Sequence, residues 1–121
     1  MKFRIARHTD NFLPIITFYT EILGLELLGS FENHNNYDGI FIGKRGADWH
    51  LEFTKSAENA THSFDEDDLL VFYIDTKSEY QAILNRFAEN KVEIQQAKNP
   101  YWNENGTLVL DPDGYGIVIS F

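Results

Sequence analysis

The chain has 121 residues, a formal charge of −9 and no cysteine. That length fits one domain, 1–121, and the missing thiols exclude disulfides, thiolate metal sites and cysteine nucleophiles. The acidic balance argues against nucleic acid as a partner, and no apolar run approaches the roughly 20 residues that span a bilayer, so no membrane is expected.

The first elements follow from periodicity. Residues 2–7 alternate and read as a strand, with Phe3 and Ile5 on one face and Arg4 and Ala6 on the other. The opening ten residues have no long apolar core, so they do not read as a secretory signal. Phe12, Ile15, Ile16, Tyr19, Ile22 and Leu23 follow a 3.6-residue period and predict a helix. Asp10 or Asn11 can cap it, Pro14 fits its first turn, and Gly24 suits a left-handed end. Strands are expected at 25–32, 37–44 and 49–54, separated by Asn-rich and Gly-containing turns. Residues 55–68 are polar, end in Asp65-Glu66-Asp67-Asp68 and read as a linker with a solvated acidic run.

The order then repeats. A strand at 69–75 leads into Thr76-Lys77-Ser78-Glu79, a capping box for a second helix bearing Tyr80, Ile83, Leu84 and Phe87. Strands are expected at 92–97 and 105–110, with a loop at 98–104 between them. Asp111-Pro112-Asp113-Gly114 is a turn by residue type, and 115–121 closes the chain as a strand. The reading is therefore α+β: two β-α-β-β-β modules, 1–54 and 69–121, forming a concave mixed sheet. With the helices on one face, the two-residue period turns Arg4, His8, His50, Glu52, Tyr73 and Val118 to the other.

Three stretches carry a resemblance. Phe18-Tyr19-Thr20-Glu21-Ile22-Leu23-Gly24, His50-Leu51-Glu52-Phe53-Thr54 and Asp111-Pro112-Asp113-Gly114-Tyr115 occur in order at the expected spacing. In this the chain resembles the vicinal oxygen chelate superfamily of glyoxalase I, ring-cleaving dioxygenases and bleomycin-resistance proteins, and within it the YycE-like branch. The resemblance implies the glyoxalase/bleomycin-resistance fold and a homodimer. In metal-using members it also implies four His and Glu side chains around one divalent ion. Those positions fall here on Arg4 (or Phe3), Glu52, Leu69 and Val118. Arginine stays protonated, and leucine and valine have no donor atoms, so no metal or other cofactor is expected.

Glu52 lies in an otherwise apolar strand, and Arg4 is expected to pair with it. His50, two residues before Glu52, is a candidate general base, and His50 with Glu52 a candidate acid–base pair. A shifted His8/His50/Glu52 site is the metal-dependent alternative. Tyr101 and Trp102 suit the wall of a small-molecule pocket, with Tyr73 as a further wall and Asn105 as an amide donor. The leading expectation is a cytoplasmic protein that binds an apolar or cationic small molecule without metal: Arg4, His8, His50, Glu52, Tyr73, Tyr101, Trp102 and Asn105 would line the site. The alternative is a glyoxalase-like lyase, isomerase or dioxygenase-type enzyme using the shifted metal site or His50/Glu52.

Overall fold

A computed structural model describes residues 1–121. It divides into two compact units, Met1–His62 and Ser63–Phe121.

In the first unit, β1 (Phe3–His8) is followed by α1 (Phe12–Ile16) and a π-helical continuation (Thr17–Ile22). Asn11 caps the start, its side-chain oxygen accepting from Leu13 N–H at 3.1 Å. The expected regular helix gives way after Ile16. The Thr20 hydroxyl takes the Ile16 carbonyl at 2.6 Å, and Leu23 N–H reaches back five residues to Phe18. A wider turn results. It brings Phe18, which the 3.6-residue stripe omits, into the core beside Tyr19 at 4.9 Å between ring centres. Gly24, at φ +91°, ends the segment in the left-handed conformation expected of it.

Strands β2 (Glu26–His34), β3 (Tyr37–Gly43) and β4 (Trp49–Lys55) complete a mixed sheet in the order β1-β4-β3-β2. The outer strand β1 runs parallel to β4, with Ile5 beside Leu51 and Ala6 beside Glu52. Leu51, Phe53, Ile40 and Ile42 are buried on one face with the helical residues Ile15, Tyr19 and Ile22. The opposite face carries Arg4, His50, Glu52 and Phe41 by register.

The second unit contains β5 (Leu69–Tyr73), α2 (Lys77–Glu89), α3 (Pro100–Asn105), β6 (Thr107–Leu110) and β7 (Gly116–Ser120). Its mixed sheet has the order β5-β7-β6, again with first and last strands parallel. Ile83 and Phe87 of α2 are buried, as are Val109, Ile117 and Ile119. Thr76 caps α2 by accepting from Glu79 N–H at 3.1 Å. Thr76→Ala should cost about 1 kcal/mol in a denaturant titration; an unchanged midpoint would show that the cap contributes nothing.

Two expectations are corrected here. Residues 92–97 form no strand, only a single bridge between Gln95 and Leu108. The Asn103 side chain explains why: it accepts from Ala97 N–H at 2.7 Å and donates to Ala97 C=O at 3.0 Å. A side-chain amide thus satisfies the backbone groups that another strand would have paired. The expected loop at 98–104 is largely helix α3. Asn99 caps it, with Pro100 beside the cap in the first turn, a start signal present in the sequence but followed by only six helical residues.

Candidate functional site

Alternation along β1 and β4 places the charged residues of the first unit on the face away from its helix. Arg4 lies beside His50 in the parallel register, and Phe41 of β3 lies beside Glu52. The Arg4 guanidinium makes three contacts. Its Nε donates to His50 Nε2 at 3.0 Å, its Nη1 reaches Glu52 Oε2 at 3.5 Å, and its Cζ stands 5.3 Å from the Phe41 ring centre. The expected Arg4–Glu52 pair is therefore present. Its partners differ in exposure, with the arginine side chain 50% accessible and the glutamate 12%. An ion pair with one end in water contributes at most about 1 kcal/mol. Because arginine can only donate, the His50 bond requires a lone pair on Nε2, that is, the neutral ring with its proton on Nδ1.

Aromatic rings extend this surface. His50 meets Phe41 edge-on at 5.6 Å, Phe41 lies 5.8 Å from Phe31, and Phe31 lies 6.2 Å from His34. Gly39 makes the row possible, since a Cβ there would collide with the Phe31 ring. Phe31 and Phe41 are the residues that reading from the sequence missed. The available signal was parity: Phe41 alternates with Ile40 and Ile42 and so falls, with Tyr37, on the opposite face of β3.

His8 has other partners. Its Nδ1 is 2.8 Å from Thr54 Oγ1, and its Nε2 is 3.1 Å from Ser56 Oγ and 3.3 Å from Glu58 O. Its ring meets Tyr37 edge-on at 5.7 Å. His8, His50 and Glu52 do not come together as a donor set, and no group of three or more His, Asp or Glu side chains is placed to hold a metal ion. The four positions implied by the resemblance supply a guanidinium, one carboxylate already paired with it, and two aliphatic chains. This donor chemistry does not fit the superfamily's metal.

In the second unit, Trp102 of α3 packs against Ala97, Leu108 and Val118 together with Leu69 and Val71. It therefore covers the sheet face opposite α2. Tyr101 meets Trp102 edge-on at 4.8 Å and is mostly exposed, as is Tyr73 at the end of β5. The Asn105 amide is engaged within α3, donating to Tyr101 C=O at 2.9 Å, while Ser120 Oγ donates to Asn105 C=O. No helix is long and apolar enough to cross a membrane.

Comparison with known proteins adds the lineage. The YycE-like N-terminal domain matches residues 3–54, and the YycE-like C-terminal domain matches residues 67–120. The uncharacterized protein YycE of Bacillus subtilis (strain 168) is 41% identical over 118 residues, covering 97% of this chain and 85% of that one. A crystal structure of a YycE protein of unknown function from Bacillus subtilis superposes with a TM-score of 0.88 at 40% identity, covering 98% of this chain and 88% of the other. The trypanothione-dependent glyoxalase I of Leishmania major shares the fold with a TM-score of 0.74 at 21% identity, over 97% and 83% of the two chains. Two domain matches spanning most of the chain, a relative at 41% identity and the shared mixed-sheet architecture have one consequence: this chain belongs to the YycE-like family and has the α+β glyoxalase/bleomycin-resistance fold of the vicinal oxygen chelate superfamily.

Proposed function

We propose that this protein binds a small apolar or cationic organic molecule without a metal ion, with the Arg4–His50–Glu52 cluster and the Phe41 ring as a contact surface. The observation that carries this reading is Arg4. Where the superfamily's metal users place a donor, this chain has a guanidinium already bonded to the retained glutamate and to His50. A positive side chain there takes the electrostatic place of an ion. The rings of Phe31 and Phe41 beside it offer flat apolar area. Binding needs shape, aromatic contact and charge complementarity, and no catalytic group. Fold alone does not choose between binding and catalysis, so the residues at the site carry the argument. The reading includes a cytoplasmic homodimer, which sedimentation of the purified chain tests for its assembly part.

The deciding experiment is a thermal-shift titration with Zn²⁺, Ni²⁺ and Fe²⁺, and with a panel of neutral and cationic aromatic compounds. The metals should give no saturable stabilisation. A site specific for the folded state would add about 2.7 kcal/mol at a hundred times its Kd. A metal-induced shift abolished by Glu52→Ala would overturn the metal-free reading. A compound that stabilises the protein should bind about fivefold more weakly to Phe41→Ala, the loss of roughly 1 kcal/mol of aromatic contact.

A further inference from the structure

The second unit holds a pocket of about 240 Å³ whose lining includes none of Arg4, His50, Glu52 and Phe41. Its floor is apolar, formed by Leu69, Leu108 and Leu110 with Gly116 between them. Gly116 keeps this floor open: a Cβ there would stand 2.5 Å from Leu69 Cδ2 and 3.4 Å from Leu108 Cδ1. Phe64 forms part of the wall and is held in place, its ring 4.6 Å from that of Tyr115.

The mouth is charged. Asp65, Glu66 and Lys98 are its charged lining residues, all three exposed. Asp65 is pinned by a turn, its Oδ1 accepting from Asp67 N–H at 2.8 Å and its own N–H bonded to Asp68 Oδ2 at 3.0 Å. The acidic charge outweighs the basic. No Lys or Arg occurs between Lys55 and Lys77, and Asp67 and Asp68 continue the negative run. An apolar recess with a negative mouth and an aromatic wall matches a ligand with an apolar body and one positive charge, and the chain's net charge of −9 favours its approach. The volume lies below the roughly 300–1,000 Å³ of pockets for drug-sized molecules, so a single-ring body is the appropriate size.

We propose that this pocket binds a small organic cation, with its ammonium at Asp65 and Glu66 and its apolar body on the Leu69–Leu108–Leu110 floor against Phe64. This goes beyond the function proposed above, because the pocket lies within the second unit and uses neither Arg4, His50 nor Glu52.

The test is an amide chemical-shift titration of the full chain with three probes that share one body and differ in charge: 2-phenylethylammonium, 2-phenylethanol and phenylacetate. The cation should saturate at around 1 mM, with shifts at Leu108, Gly114 and Gly116. Phenylethanol should bind more weakly and phenylacetate most weakly. Lys98→Glu should tighten the cation, and Glu66→Gln should weaken it, each by about two- to fivefold, the range of exposed charge pairs. Leu110→Trp should abolish the shifts by filling the floor. Leu110 is 45% exposed, so the larger ring can be accommodated, and the two charge variants lie on the surface and leave the core intact. Tighter binding of phenylacetate, weaker binding by Lys98→Glu, or no saturable shift at the pocket amides would overturn the proposal. Cation shifts confined to Phe41 and His50, and lost in Glu52→Gln, would overturn it too while leaving the function proposed above standing.

Discussion

Phe53→Ala is expected to lower the unfolding free energy by about 3–5 kcal/mol, the range for truncating a buried phenylalanine. Phe53 is 1% exposed and lies in β4 between two partners of different kind. Tyr19 of the π-helical segment is 5.2 Å away between ring centres, and the Arg7 guanidinium carbon stands 5.8 Å over the ring. Alanine would leave a cavity where helix and sheet meet. Total stabilities run at roughly 5–15 kcal/mol, so this one change should shift the urea midpoint by a large fraction of its value. Glu52→Gln, one residue earlier in the same strand, is the control. It removes an ion pair whose arginine is half in water, so its effect should stay within about 1 kcal/mol. A Phe53→Ala midpoint no lower than that of Glu52→Gln would contradict this account of the core.

The second large effect is expected at Trp102. Its ring spans Ala97, Leu108 and Val118 with Leu69 and Val71 beside them, and it remains partly accessible. Trp102→Ala should cost about 2–3 kcal/mol, below the roughly 3–5 of a fully buried aromatic. The loss should appear as faster amide exchange at Leu108 and Val118, because their side chains lose the cover that Trp102 provides. The sequence suggested a wall for a ligand, and the packing assigns the same ring a structural task. One mutant separates the two. Lower stability with unchanged affinity for a bound compound leaves Trp102 as cover only. Unchanged stability with weakened affinity makes it a binding wall and refutes the packing argument.

Parity and caps explain how much of the molecule was legible beforehand. Alternation along residues 2–7 and 49–54 put Arg4 and Glu52 on one face because a strand's side chains have a period of two whatever surrounds them. The Asn11 and Thr76 caps and the left-handed Gly24 are equally local: each depends on residues a few positions apart. Which positions would hold metal donors came from the resemblance, and residue identities then showed that Arg4, Leu69 and Val118 carry none. Other features depend on competition between distant groups. Residues 92–97 have strand composition, yet the Asn103 amide takes both backbone groups of Ala97. The first helix widens because the Thr20 hydroxyl competes for the Ile16 carbonyl. The contact of Phe31 with Phe41 depends on how β2 is registered against β3, and Gly39 admits the ring only once that pairing exists. The pocket beside Gly116 takes its lining from the linker, all three strands of the second sheet, the turn at Gly114 and the strandless segment at 95–98. Local pattern thus determined most of the elements and their faces. Tertiary structure decided which backbone groups found which partners, and so where the open surfaces lie, because hydrogen-bond competition and side-chain packing join residues that no sequence period connects.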